Sequence, residues 1–401
     1  MKILVVNAGS SSMKFQLIDT SKNELMAKGS LTRIGEKSGE ESVVYKAKGK
    51  VFQEDRVIPT FGDAVQIVIK LLTDKKLGVL KNISEVDAIG HRIVQGAEIF
   101  KKSTLITPKV IKQIEDLTPL APVHQPGHIA GIKGCLEVLP DVPMVGVFDT
   151  VFHSTMPGYA ARYAITEEAY KKWKIRRYGA HGTSHKFVSQ ELARLTGKKG
   201  KFIVCHIGNG ASISAVKNGK CIDTSMGFTP LEGLVMGTRC GDVEPTVVTR
   251  VMDMSGMTAH QVVDWLNKKC GLLGVSGVSN DIRDVQKAAA DGNKNAQLAI
   301  DMLIYRLKKY IGSYAAALGG VDAIAFTAGT GENRPEIREA ALEGLGFMGI
   351  EIDKDKNNNF TRGIVEDITG KNSKAKIYVI PTDEEGMIAK ETEEIVLKNK
   401  K

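Results

Sequence analysis

Asn7-Ala8-Gly9-Ser10-Ser11-Ser12-Met13-Lys14 puts a glycine, three hydroxyls and a lysine on one short turn, directly after the apolar run Ile3–Val6. Gly9 permits close backbone approach, and Ser10 and Ser12 with neighbouring N–H groups can ring an anion, to which Lys14 adds a point charge. A Ser-rich hairpin turn is the competing account. Such turns need only about two to five residues and favour Asn-Gly or Asp-Gly, so three consecutive serines are better explained by phosphate contact. The Walker A pattern is absent, and the strand expected at Lys14–Ile18 excludes a strand–glycine–helix dinucleotide fingerprint. His206-Ile207-Gly208-Asn209-Gly210-Ala211-Ser212 is a second anion cradle, although Asn209-Gly210 also suits a type I′ turn. In Phe326-Thr327-Ala328-Gly329-Thr330-Gly331-Glu332-Asn333, between a strand and a helix, two glycines let a flat ring or a phosphate lie on the backbone. The helix start adds a positive dipole, and a tight strand–helix turn is the alternative.

Single polar residues extend the set. Asp149 follows the apolar run Met144–Phe148, where a carboxylate is costly unless paired or bound to a cation. Arg92 follows His91 at another strand end, and Arg239 lies in Gly237-Thr238-Arg239-Cys240-Gly241-Asp242. Each arginine alone fits a structural ion pair; several strand-end charges together suit a site. His181, with Gly179 and Gly182 nearby, has the flexibility expected of an exposed working histidine. Thr382 and Glu385 have capping-box spacing, which leaves Glu384 to point elsewhere.

The elements that must hold these residues are apolar strands alternating with amphipathic helices, an α/β arrangement. In such sheets ligands bind beyond the carboxyl ends of strands, where these polar residues fall. Thr183 or Ser184 is expected to cap a helix with Val188, Leu192 and Leu195 inward and Gly197 as its stop, and Ala296–Leu318 reads as a longer buried helix. Leu4–Gly9 and Ile203–Gly208 fall in one register, each a strand, a small-residue turn and a returning strand. They suggest either two related domains or two unrelated hairpins.

The chain has 401 residues, enough for two domains. Its composition, 42% hydrophobic and 25% charged, is that of a globular protein. The net charge of +9 suits small anionic substrates. Nucleic acid is disfavoured, because the basic residues are scattered apart from Lys398–Lys401 and do not interleave with aromatics. Five cysteines without CxxC spacing argue against a disulfide framework or zinc site and fit a reducing cytoplasm. The apolar start Ile3–Val6 is too short for an export signal, and no uncharged run is long enough to span a membrane.

In order along the chain, Asn7–Ser12, Gly90-His91-Arg92, Pro122-Val123-His124, Phe148-Asp149-Thr150, His181–His185, His206–Gly210, Gly237-Thr238-Arg239 and Thr382–Glu385 resemble the acetate kinases. These belong to the acetate and sugar kinase, Hsp70 and actin superfamily. The resemblance implies an actin-like ATPase duplication: two ribonuclease H-like α/β domains with a cleft between them, and a homodimer formed through the second domain. The first would span residues 1–150, with a C-terminal helix at 385–401 packing back on it, and the second 151–384. It further implies reversible phosphoryl transfer from ATP to acetate, giving acetyl phosphate and ADP, with Mg²⁺ as cofactor and Mn²⁺ as a substitute.

By the same resemblance Asn7 and Glu384 hold the metal, Asp149 is the essential aspartate, and Arg92 and Arg239 hold acetate and the moving phosphoryl group. His181 and Arg239 stabilise the transition state. His206, Gly208, Asn209 and Gly210 contact phosphate; Asp281, Ile282, Arg283 and Gly329–Asn333 (Gly329, Thr330, Gly331, Glu332, Asn333) form the adenosine pocket. Val94, Val123 and Pro230 enclose the acyl methyl, while His124 and His185 match family histidines of less defined role. Four residues depart from the family pattern: Ala180, Thr330, Asp383 and Gly386 stand where Phe, Ile, Asn and Leu are usual. Alternatives are a propionate or broader short-chain acyl kinase, and a non-catalytic nucleotide switch, against which the intact arginines argue.

Overall fold

The computed structural model describes residues 1–399; Lys400 and Lys401, the last two residues of the expected C-terminal helix, lie outside the described residues. The chain divides into two compact units, Met1–Val151 with the segment from Asp383 onward, and Phe152–Thr382.

In the first unit β1 (Lys2–Ala8) and β2 (Met13–Asp19) form an antiparallel hairpin that continues through β3 (Glu24–Leu31), β4 (Val43–Ala47) and β5 (Lys50–Glu54). On its other side β1 takes β6 (Ala88–Ile93) in parallel, and β6 takes β8 (Met144–Phe148) in parallel. The two-residue β7 (Thr104–Leu105) closes that edge. Alternation along β1 supplies two cores. Leu4 and Val6 join Phe15 and Leu17 beneath helices α1 (Phe61–Thr73) and α2 (Gln125–Val138). Ile3 and Val5 join Val145, Val147 and the C-terminal helix (Glu384–Asn399) through Ile388, Ala389 and Val396. α1 begins at a capping box, in which Thr60 Oγ1 accepts from Asp63 N–H at 3.1 Å and the Asp63 carboxylate accepts from Thr60 N–H at 3.1 Å. α2 lies against the β1–β2 turn, because Gly127 has no side chain; a Cβ there would stand 2.1 Å from the Gly9 carbonyl oxygen.

The second unit repeats this plan. β9 (Lys201–Ile207), β10 (Ala211–Lys217) and β11 (Lys220–Thr224) form an antiparallel meander. β9 takes β12 (Ala323–Thr327) in parallel, β12 takes β14 (Lys376–Val379), and β13 (Glu366–Asp367) closes the edge. One face packs Phe202 and Val204 against Val188 and Leu192 of α3 (Gly182–Thr196). Among the helices that follow α3 are α4 (Thr246–Ser255), α5 (Ala259–Lys268) and the long α6 (Lys294–Leu318). The other sheet face packs Ile203, Cys205 and Phe326 against Leu307, Ile311 and Leu318 of α6.

The orders β3-β2-β1-β6-β8 and β11-β10-β9-β12-β14 are the same path through the sheet. Unrelated hairpins would have no reason to share the two parallel strands that follow, so the register echo marks a duplication. Asn7 and His206 occupy equivalent positions on first strands, and their cross-strand partners Lys14 and Ser212 correspond.

Four local expectations change. α3 starts at Gly182 with His181 as N-cap, so Thr183 and Ser184 lie buried in the first turn rather than capping it; Gly197 does end the helix, at φ +69°. Gly329–Asn333 is itself helical, as α7 (Ala328–Asn333), rather than a turn before a helix. Thr382 does not cap the C-terminal helix; the Asp383 carboxylate does, accepting from Gly386 N–H at 2.9 Å. Finally Val151, Asp383 and Glu384, expected in the second domain, group with the first unit, since the turn after β8 and the first residues of the C-terminal helix pack with it.

Candidate active site

The polar strand-end residues gather in two groups, one in each unit. In the first, Arg92 is the penultimate residue of β6 and Asp149 directly follows β8, and the parallel pairing of the two strands brings them to neighbouring strand ends. Arg92 Nη2 donates to Asp149 Oδ2 at 2.6 Å; the carboxylate is fully buried, and Asp149 N–H donates to the Ile93 carbonyl at 2.9 Å. Asp149, with Glu384 and Glu385 beyond it, raises the Arg92 pKa and keeps the guanidinium charged. Burial pushes the Glu384 carboxyl up to about 7, with Asp149 and Glu385 adding to the effect and Arg92 opposing it. Arg92 Nε is buried with no acceptor. Behind the pair His128 is a strut: its Nδ1–H donates to the Ala8 carbonyl at 2.8 Å and its Nε2 accepts from Val94 N–H at 3.2 Å. Asn7 and Lys14 face each other across β1 and β2 and line, with Glu385, a cavity of about 410 Å³.

The second group is built from imidazoles. His181 holds φ +57° at the start of α3, and its ring stacks on His206 with centroids 4.2 Å apart. Ser184 Oγ lies 2.8 Å from His206 Nδ1 and 2.8 Å from Thr382 Oγ1. Arg239 Nη1 donates to the Pro230 carbonyl at 3.2 Å and has no carboxylate partner among the described residues. Burial lowers its pKa. A Cβ on Gly210 would sit 3.5 Å from His181 Nε2 and 3.6 Å from Arg239 Nη1, so imidazole and guanidinium border the same patch of glycine backbone. Asp242 anchors the Arg239 loop, accepting from Gly233 N–H at 2.9 Å, Arg306 Nη1 at 2.8 Å and Tyr310 OH at 2.9 Å. Cys240 is an unpromising reactive thiol, since burial pushes it up to about 11.

Beside this group lies a cavity of about 620 Å³, a size that suits a nucleotide. Its wall brings together Gly208, Asn209, Asp281, Ile282, Arg283, Gly329, Thr330 and Asn333, residues far apart in sequence, and Val235, Leu272 and Leu303 supply apolar surface for a flat ring. Gly331 and Glu332 adjoin it through α7, which is fixed from beneath. Fully buried Arg338 donates from Nη1 to the Gly331 and Glu332 carbonyls, both at 2.9 Å, and from Nε to Asn357 Oδ1 at 2.8 Å. Glu332 Oε1 accepts from Ala328 N–H at 2.7 Å and Thr382 N–H at 3.2 Å.

Val94 and Val123 belong to the first unit and Pro230 to the second, with Val123 63% exposed. Ser10 and Ser12 lie on the β1–β2 turn, where Gly9 N–H closes onto the Ser12 carbonyl at 2.7 Å. Sequence reasoning gave no role to His128, Ser212, Asp242 or Arg338. Ser212 and Asp242 were visible as parts of motifs, but their contacts depend on strand register and loop packing; His128 and Arg338 carry no local signal.

Strand-end polar groups on a duplicated mixed sheet define the actin-like ATPase fold. The model of the acetokinase family matches residues 2–390. An acetate kinase of Caldanaerobacter subterraneus subsp. tengcongensis is 54% identical over 401 residues, 99% of each chain, and one of Thermoanaerobacter pseudethanolicus is 53% identical with the same coverage. The crystal structure of Porphyromonas gingivalis acetate kinase matches with TM-score 0.93 at 44% identity, covering 98% of this chain and 99% of that one. A propionate kinase structure from Francisella tularensis subsp. tularensis matches at 0.91 and 42%, with the same coverage. The chain belongs to the acetokinase family. It is therefore a phosphotransferase whose acceptor is a carboxylate, with ATP as a substrate and a divalent metal as cofactor.

Proposed function

We propose that the two groups serve one reaction, the reversible Mg²⁺-dependent transfer of the γ-phosphoryl group of ATP to acetate. A carboxylate oxygen forms the new P–O bond while the bond from the γ-phosphorus to ADP breaks, and ADP leaves with the electron pair. The acceptor is already ionised at neutral pH, so no strong base is needed; the obstacle is repulsion between two anions. The observation that carries this reading is Arg239: a half-buried guanidinium with no carboxylate partner among the described residues, sharing the Gly210 backbone with His181. A cation so placed is unfavourable until an anion arrives. Arg239 and His181 take the transferring phosphoryl group, Arg92 takes the acetate carboxylate, and Val94, Val123 and Pro230 meet its methyl. His206, Gly208, Asn209 and Gly210, with Lys14, Ser10 and Ser12, bind the phosphate chain, and the 620 Å³ cavity takes adenosine.

The first group fits a divalent cation. Asp149, Glu384 and Glu385 outnumber the single Arg92, and Glu384, raised to about 7 by its burial with Asp149 and Glu385 adding to the effect, would gain from a nearby cation. Among the described residues no three His, Cys, Asp or Glu side chains form a chelating cluster, so the fit is to an ion that keeps water and phosphate ligands, as Mg²⁺ does. Asn7 and Glu384 would hold it, with Asp149 orienting Arg92. Bound there, the ion supplies charge neutralisation between nucleotide and acceptor.

A homodimer through the second unit fits its exposed apolar surface. No residue of α4 is buried, Met254 is 69% exposed, and Tyr305 of α6 is 64% exposed. The cysteines are free thiols, three of them buried, which suits a reducing cytoplasm. No helix among the described residues is long and apolar enough to cross a membrane.

Trapping the acyl phosphate with hydroxylamine tests the reaction. Hydroxamate should form only with ATP, acetate and Mg²⁺ together; none with all three present would end the proposal. The likeness to a propionate kinase favours one second reading, a preference for a longer acyl chain. Comparing kcat/KM for acetate, propionate and butyrate decides it, since one methylene changes binding by only about 1–3 kcal/mol.

A further inference from the structure

Ser212 lies on β10 opposite His206, fully buried, with its hydroxyl between two imidazoles. Ser212 Oγ is 2.9 Å from His181 Nδ1 and 2.7 Å from His185 Nε2. His185, one turn along α3 from His181, is fully buried, and its Nδ1 has no hydrogen-bond partner among the described residues. That vacancy orders the protons. Burial keeps His185 neutral, so it carries one N–H. A buried N–H without an acceptor costs more than a lone pair without a donor, so the proton sits on Nε2 and is donated to Ser212 Oγ. With that lone pair engaged, the Ser212 hydroxyl turns its own proton toward His181 Nδ1, which must then accept.

We propose that Ser212, backed by His185, is a positioning residue that holds the proton of neutral His181 on Nε2, the nitrogen bordering Gly210 beside Arg239. In this tautomer His181 presents a donor where Arg239 presents another, both suited to an oxygen of a phosphoryl group. In the opposite tautomer Nε2 would offer a lone pair, which repels such an oxygen. That this donor meets phosphate rests on the function proposed above; the location of the proton does not.

The test is long-range ¹H–¹⁵N correlation on histidine-labelled protein, with His181→Gln to assign the ring. The wild type should show His181 protonated at Nε2 with Nδ1 an acceptor, and His185 protonated at Nε2. Ser212→Ala should populate the Nδ1-protonated form of His181 and lower kcat by about tenfold or more, with KM for acetate and ATP little changed. A wild-type His181 protonated on Nδ1, or a tautomer unmoved in Ser212→Ala, overturns the proposal. If the alanine variant folds poorly, His185→Leu reads the same link: it should reduce the Nε2-protonated fraction of His181, and an unchanged fraction also overturns it. Expected ring shifts in a protein that makes no acetyl phosphate would defeat the proposed function and leave this inference standing.

Discussion

The two units run the same path through their sheets yet treat charge in opposite ways. At equivalent positions the first carries Asn7 opposite Lys14, and the second His206 opposite Ser212. The first keeps its arginine neutralised, with Arg92 held 2.6 Å from a fully buried Asp149. The second leaves Arg239, among the described residues, with a carbonyl and a sulfur as its side-chain partners, beside stacked imidazoles. One scaffold thus yields one polar group whose arginine is paired within its own unit and another whose arginine has no carboxylate partner among the described residues. Duplication supplies the positions; the polar residues at the strand ends decide whether an arginine is paired with a carboxylate or left without one.

The largest expected effects test that contrast directly. Arg239→Ala and Arg92→Ala should each lower turnover by about 10²–10³-fold, the usual loss for one transition-state contact. Stability should separate them. Removing Arg92 leaves a buried carboxylate without its guanidinium, a loss of about 3–5 kcal/mol. Removing Arg239 relieves an uncompensated cation, so the ligand-free Arg239→Ala protein should melt no lower than wild type. Equal destabilisation of the two variants in denaturant titrations would dissolve the distinction. Asp149→Asn in the Arg92→Ala background should restore most of the lost stability and none of the activity.

How much of this was legible beforehand follows from what strands announce. An apolar run that stops near Asn7, Arg92, Asp149 or His206 marks a strand end, and ligands gather there, so candidate residues could be named from the sequence. What could not be read depends on register and packing. Ser212 gains its role from lying opposite His206, which a one-residue slip would remove. Gly329 and Gly331 suggested an open turn, yet Glu332 accepts the Ala328 N–H and Arg338 binds two α7 carbonyls, which holds the segment helical. Asp383, which stands where the family pattern has Asn, also takes its role from local packing, since its carboxylate caps the C-terminal helix.

A smaller effect sharpens the comparison inside the second unit. Arg338 is buried without an ion-pair partner among the described residues, and burial lowers it to about 10. It supports the cavity wall rather than touching a ligand. Arg338→Met should leave the Gly331 and Glu332 carbonyls unsatisfied and loosen α7. We expect KM for ATP to rise about tenfold, on the order of 1.4 kcal/mol, with KM for acetate unchanged. If both KM values rose together, α7 would not be specific to the nucleotide side.

The smallest effect is one of pH, and it too divides the units. Burial pushes His91 down to about 3 and His128 down to about 4, the latter helped by Arg92 and His124; both lie in the first unit. In the second unit burial holds His185 well below its ordinary value. In an unfolded chain all three would titrate near about 6.5. Below that value the unfolded state binds protons that the folded state refuses. The stability these residues contribute is therefore complete above about pH 6.5 and is lost as pH falls toward 4 and 3. Glu384, raised to about 7, works in the opposite sense in metal-free protein: its contribution is complete below about 4.5 and lost as pH rises through 7. Comparing a single variant with wild type cancels that term. His91 Nε2 has no partner, so His91→Leu removes a titrating ring without orphaning a neighbour. Between about pH 7 and 5.5 the variant should lose on the order of 1 kcal/mol less than wild type. A His91→Leu protein with the wild-type acid slope would mean that His91 titrates freely in the folded state.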